Sequence, residues 1–67
     1  MIKDRYMSGE KVLYKVRLLA YPSVVLNDLG DQVEIAISPE GNTADESLYK
    51  SWESKLVGKN SLKRYNW

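Results

Sequence analysis

The 67-residue sequence contains no cysteine, no histidine and no phenylalanine. Without cysteine there is no disulfide framework and no thiolate metal site, and nothing requires an oxidising compartment. Without histidine the chain lacks the commonest general base and the commonest metal ligand, so Ser-His catalysis is excluded. The spacings of zinc sites, EF-hands and phosphate-binding loops are also missing. We therefore expect a protein that is not an enzyme and that binds no metal or cofactor.

Long hydrophobic runs are missing as well. The longest apolar runs span a few residues, whereas a helix needs roughly 20 to cross a bilayer, and the first five residues lack the apolar stretch of a signal peptide. We expect one domain over residues 1–67, a cytoplasmic or nuclear location and no membrane partner. A chain of this size buries only about 60% of its unfolded surface, which favours a homo-oligomer or a larger complex.

The net charge of +1 conceals a strong segregation of charge along the chain. Residues 1–17 carry a net +3, residues 18–46 carry six acidic groups and no basic one, and residues 47–67 carry a net +4. If the basic strand around Lys15 and the acidic strand around Glu34 were neighbours in one sheet, this pattern would be internal pairing.

Two segments have the alternation of half-buried strands. From Lys11 to Ala20, apolar residues recur at every second position, and Val33, Ile35 and Ile37 repeat the pattern. Pro22 is expected to interrupt the first run, because proline cannot donate to a ladder. Between them, residues 24–26 predict a short strand followed by a hairpin loop over residues 27–31. The alternative for this region is a short helix over residues 22–29.

The sequence after residue 42 predicts a helix. Thr43 and Glu46 fit a capping box, Leu48, Trp52 and Leu56 form an apolar stripe at i, i+4 and i+8, and residue 58 is a glycine that would end the helix. We therefore predict a β-rich α+β fold, which is either a small SH3-like barrel or a bent antiparallel sheet, with one C-terminal helix.

All seven aromatic residues are tyrosine or tryptophan, the two types enriched at interfaces. The leading hypothesis is a non-catalytic module that recognises a protein or peptide through the acidic middle segment and aromatic anchors, with partner-binding residues Tyr21, Asp28, Asp31, Glu34 and Trp52. One alternative is nucleic-acid binding by the basic N-terminal strand and the basic aromatic tail, with the residues Lys11, Lys15, Arg17, Lys63, Arg64, Tyr65 and Trp67. A further alternative is a self-assembling structural or regulatory subunit.

Two stretches resemble chromo-barrel and Tudor-like modules. Ser8-Gly9-Glu10-Lys11-Val12-Leu13 is similar to the turn and first strand of those modules. The segments Trp52-Glu53, Leu56-Val57-Gly58 and Leu62-Lys63-Arg64-Tyr65 are similar to their closing stretch. The resemblance implies an SH3-like barrel ending in a short helix. It also implies a reader of methylated lysine, whose aromatic cage would draw on Tyr14, Tyr21 and Trp52.

Overall fold

The computed structural model describes residues 5–39 and 46–64. They form a five-stranded sheet in the order β4-β3-β2-β1-β5, in which every pairing is antiparallel. The strands are β1 (Lys11–Val16), β2 (Leu19–Asp28), β3 (Gln32–Ile37), β4 (Glu53–Gly58) and β5 (Leu62–Arg64). The expectation of a small β-rich domain with an antiparallel sheet is confirmed, and the sheet is open, with β4 and β5 at its edges.

The predicted C-terminal helix is wrong. Residues Glu46–Ser51 form a 3-10 helix that is kinked at Leu48, and Glu53–Gly58 form the edge strand β4. The apolar stripe did not discriminate between the two structures, because a spacing of four residues returns to the same side of a strand as well as of a helix. Hydrogen bonding to β3 stabilises this segment as a strand. The capping-box residue Thr43 lies outside the described residues.

The first predicted strand is in fact a hairpin. Val16 pairs with Leu19, so the chain turns at Arg17 and Leu18 rather than continuing to Ala20. Arg17 has a φ of 57°, which an arginine rarely adopts. None of the usual turn residues marks this position, which is why the alternation looked uninterrupted.

Pro22 lies inside β2 instead of ending the first run. The carbonyl of Pro22 accepts a hydrogen bond from the backbone N–H of Ser38, at 2.9 Å. Ser38 comes directly after β3, whose last pair joins Ile37 to Ser23. The backbone of Pro22 therefore points towards the β3 side just past the ladder, where the missing N–H breaks no strand pair. The middle segment is a strand, and the helical alternative over residues 22–29 is wrong.

Strand register assigns the side chains to two faces of the sheet. The inner face carries Val12, Tyr14, Val25 and Ile35, and the outer face carries the residues between them, beginning with Lys11. The register of β2 against β3 shifts between Val25 and Asn27, which is a β-bulge. This bulge turns Asp28 to the inner face, opposite Val33, whereas an uninterrupted ladder would have turned it to the outer face.

The core fills one end of the inner face. Its buried residues are Tyr6, Val12, Val25, Val33, Ile35, Val57 and Leu62. The N-terminal segment closes this end: Gly9 N–H donates to the carbonyl of Val25, and Val25 N–H donates to the carbonyl of Glu10, both at 2.8 Å. Gly9 has a φ of 90°, so the expected turn at Ser8 and Gly9 needs its glycine.

The charge segregation is not a direct pairing of the basic and acidic strands. Strand β2 lies between β1 and β3, so the lysines of β1 have no cross-strand neighbour in the acidic strand. Among the described residues, two ion pairs link the basic C-terminal part to acids upstream. Lys59 Nζ lies 3.1 Å from Asp28 Oδ2, and Arg64 Nε lies 2.6 Å from Glu10 Oε2. In the part of the chain that the structure describes, no helix has the length and apolar character needed to cross a bilayer.

Candidate functional site

The end of the inner face that the core does not fill is an open groove of about 310 Å³. Its apolar walls come from Tyr14, Val16, Tyr21 and Ile37. Tyr14 and Tyr21 are direct cross-strand partners, with ring centroids 6.2 Å apart and planes tilted by 34°. Tyr21 is 37% exposed, so one of the two rings is within reach of a ligand that approaches from solvent.

Two opposite charges on β4 form the rim of this groove. Glu53 and Lys55 both line it, opposite Ile37 and Ile35 respectively, and both side chains are exposed. Within the described residues neither charge belongs to an ion pair. The groove thus offers two aromatic faces, an aliphatic floor and a rim with one carboxylate and one ammonium group. This combination suits a side chain that is both hydrocarbon and cationic.

No family model, no curated protein and no solved structure matches this chain.

The five predicted partner-binding residues do not converge on one surface. Tyr21 lines the groove, whereas Glu34 lies on the outer face, opposite Asn27 and Leu56. Asp31 is exposed in the loop between β2 and β3, and Trp52 is half-buried next to β4 and does not line the groove.

Asp28 is engaged within the chain. Its carboxylate accepts hydrogen bonds from the backbone N–H groups of Tyr6 and Gly30, both at 2.8 Å, and forms the ion pair with Lys59. These contacts, the two backbone hydrogen bonds first, lower the pKa of Asp28 from 3.8 to about 2. Asp28 therefore fastens the N-terminal segment and the second 3-10 helix (Lys59–Ser61) to the β2–β3 turn.

A second candidate surface lies on the outer face of β1 and β5. Lys63 pairs with Leu13, whose neighbours on the same face of β1 are Lys11 and Lys15. The β2 residues opposite Lys11, Leu13 and Lys15 are Val24, Pro22 and Ala20. We call Lys11, Lys15 and Lys63 the lysine face.

The other predicted nucleic-acid contacts are separate from the lysine face. Arg64 lies on the inner face, with its guanidinium 4.4 Å from the centre of the Tyr6 ring. Its Nη2 also donates to the carbonyl of Arg5, at 2.6 Å. Arg17 lies in the β1–β2 turn. Tyr65 and Trp67 lie outside the described residues.

The resemblance to chromo-barrel and Tudor-like modules pointed to Tyr14 and Tyr21, but the sequence interpretation missed Val16, Ile37, Glu53 and Lys55 as site residues. A signal for the tyrosine pair existed, since Tyr14 and Tyr21 are equally distant from the turn at Arg17 and Leu18. Nothing in the sequence placed the β4 charges beside them. The described residues hold no cluster of three or more acidic side chains that could bind a metal ion.

Proposed function

We propose that this protein is a non-catalytic binding module that holds a protein or peptide partner in the Tyr14–Tyr21 groove. The pair of tyrosine rings at the open end of the inner face carries this proposal. Two aromatic rings inside a closed core would be buried, whereas these two lie at the open end of the inner face. Tyrosine is enriched at such interfaces, because its ring is apolar while its hydroxyl group can stay in contact with water. The acidic contribution comes from Glu53 rather than from the acidic middle segment.

The partner that fits best presents a lysine or arginine side chain. Its methylene groups would lie against Val16 and Ile37 while the cation faces the tyrosine rings, and Glu53 would supply the counter-charge. The resemblance to chromo-barrel and Tudor-like modules supports the same class of ligand, because those modules bind methylated lysine among aromatic rings.

The strand arrangement supports the finer assignment of an SH3-like fold. Strands β1 to β4 follow one another in a meander, β5 returns to the edge of β1, and a single 3-10 turn separates β4 from β5. SH3-like domains share this order. The open sheet would then be an SH3-like strand arrangement in which the barrel is not closed.

Binding of matched peptides tests the proposal. Peptides with lysine, trimethyl-lysine, arginine or neutral norleucine at one central position should be titrated while the NMR signals of the protein are followed. The cationic peptides should shift signals of Tyr14 and Tyr21, and norleucine should bind at least several-fold more weakly. Equal binding of all four peptides, or shifts confined to other strands, would overturn the proposal.

Variants of the groove make the test specific. Tyr21→Ala and Glu53→Gln should each weaken binding of the lysine peptide, whereas Tyr21→Phe keeps the ring and should retain most of it. Tyr49→Ala removes a tyrosine on the first 3-10 helix, outside the groove, and should leave binding unchanged. Circular dichroism of each variant separates loss of the groove from loss of the fold.

A second candidate function is binding of a nucleic acid by the lysine face. The observation that favours it is the meeting of Lys11, Lys15 and Lys63 on one face of two adjoining strands. Such a face would contact phosphates and carry little sequence preference.

A further inference from the structure

The outer edge of β4 is the longer of the two sheet edges. β4 has six residues and β5 has three, and among the described residues β4 has a neighbouring strand only on its β3 side. Residues 53–56 are all exposed. An edge strand of this length presents a row of backbone donors and acceptors that another strand can pair with, whereas β5 is protected by its shortness.

Two-fold symmetry restricts how a second copy can pair with this edge. When two identical strands pair antiparallel, the axis is perpendicular to the sheet and passes between one residue and its equivalent in the second copy. An axis at Glu53 or at Lys55 sets two like charges directly opposite each other, which is destabilising. An axis at Ser54 sets Glu53 of each copy opposite Lys55 of the other.

The axis at Ser54 also provides an apolar contact. Continued by one residue, the same register sets Leu56 of each copy opposite Trp52 of the other. Leu56 is 48% exposed in the single chain, on the face of β4 that points away from the groove. An axis at Leu56 would bring the two leucines together, but it would not set Glu53 of one copy opposite Lys55 of the other. Of these axes, only the one at Ser54 sets Glu53 opposite Lys55 and also gives Leu56 an apolar neighbour.

We propose that β4 pairs edge to edge with β4 of a second copy of this chain, antiparallel and with the two-fold axis at Ser54. The two sheets then form one continuous sheet. Two symmetric Glu53–Lys55 pairs lie on the inner face, and two Leu56–Trp52 contacts lie on the outer face. This dimer uses the backbone edge of β4 and does not depend on a peptide in the tyrosine groove.

A charge-swap series measured by sedimentation equilibrium, without any peptide, tests the register. The wild type should show a monomer–dimer equilibrium. Glu53→Lys and Lys55→Glu should each raise the dimer dissociation constant by about tenfold or more, because both symmetric pairs become repulsive. The double variant Glu53→Lys/Lys55→Glu should restore dimerisation, and so should an equimolar mixture of the two single variants. A wild type that stays monomeric at every concentration, or a double variant no better than the singles, would overturn the proposal.

A cysteine at position 54 gives an independent test, because the chain has no cysteine of its own. Opposed residues in antiparallel strands have Cα atoms about 4.5–5.5 Å apart, within the range of about 4.4–6.8 Å that a disulfide spans. Ser54→Cys should therefore form a covalent dimer under mild oxidation, whereas Ala20→Cys, exposed on β2, should not. Equal cross-linking of both variants, or of neither, would contradict the axis at Ser54.

Discussion

The carboxylate of Asp28 accepts a hydrogen bond from the backbone N–H of Tyr6, 22 residues earlier in the chain, at 2.8 Å. The same carboxylate accepts the N–H of Gly30 and pairs with Lys59. One side chain that follows a β-bulge therefore joins the N-terminal segment, the β2–β3 turn and the second 3-10 helix.

This arrangement predicts a loss of stability in acid. The pKa of Asp28 is about 2 in the folded chain against an ordinary value of 3.8. The unfolded chain therefore binds the proton more readily, so stability rises with pH in this range. The contribution of Asp28 is complete above its unfolded pKa and declines as the pH falls from 3.8 towards 2.

The measurement is the melting temperature of the wild type and of Asp28→Asn as a function of pH. The variant should melt clearly lower than the wild type at neutral pH, and the difference should shrink as the pH falls through this window. Asp31→Asn changes an exposed carboxylate in the same loop and serves as the control. A wild type and an Asp28→Asn variant with parallel pH profiles would contradict the assignment.

Arg64 is predicted to hold the N-terminal segment against the core. Its guanidinium lies over the Tyr6 ring, pairs with Glu10 and donates to the carbonyl of Arg5. Arg64→Ala should lower the free energy of unfolding by about 1–2 kcal/mol, given a partly exposed ion pair and a cation–π contact.

Hydrogen exchange should locate this effect. In Arg64→Ala, the amides of Tyr6 and Gly9 should lose protection before those of the β2–β3 ladder do. Lys63→Ala, one residue away on the outer face, should change neither stability nor exchange. Uniform loss of protection along the whole sheet would show that Arg64 acts on the fold as a unit rather than on this segment.

The backbone of Arg17 is predicted to be strained. A non-glycine residue at positive φ costs about 1–2 kcal/mol, and asparagine tolerates this region better than arginine does. Arg17→Asn should therefore raise the free energy of unfolding by up to about 1 kcal/mol in urea denaturation. Leu18→Asn, at the fully exposed next position, should have little effect. A destabilised Arg17→Asn would mean that the arginine side chain compensates for its backbone.

The lysine face is predicted to account for any binding of nucleic acid. With three phosphate contacts, the logarithm of the binding constant should fall with the logarithm of salt concentration with a slope of roughly −3 for duplex DNA. Replacing Lys11, Lys15 and Lys63 by glutamine should abolish this binding. The same substitution at Lys50 and Lys55, outside the face, should leave it intact. Failure to bind oligonucleotides at low ionic strength would remove this candidate function.

Local patterns predicted some elements well. The alternation of Val33, Ile35 and Ile37 gave β3 correctly, and Ser8 and Gly9 gave the first turn, because in both cases the residue types fit one local geometry only. The β1–β2 turn could not be predicted from Arg17 and Leu18, whose types do not mark a turn. The helix predicted after residue 42 is wrong because its apolar spacing fits a strand as well as a helix, and pairing with β3 stabilises the strand.

The candidate site was less accessible from the sequence than the fold. The tyrosine pair follows from the hairpin register once the turn is known, but the rim of Glu53 and Lys55 depends on β4 pairing with β3. The sequence placed Asp28 in an exposed loop, because the bulge that shifts the register by one residue cannot be predicted from the residue types around it. The sequence positions of the charged residues therefore do not predict which of them lie close together in the fold.

The bulge in β2 also determines where the chain tolerates a change of length. Within the part of β2 that pairs with β3, from Ser23 to Asp28, Leu26 has no partner in the register, although its carbonyl accepts a hydrogen bond from the Ser8 hydroxyl. A chain shortened by this residue would keep Asn27 opposite Glu34 and Asp28 opposite Val33. Deletion of Leu26 would therefore preserve every cross-strand pair of the sheet. Deletion of Val24 or Ile35 would instead move the side chains on one side of the deletion to the opposite face of the sheet.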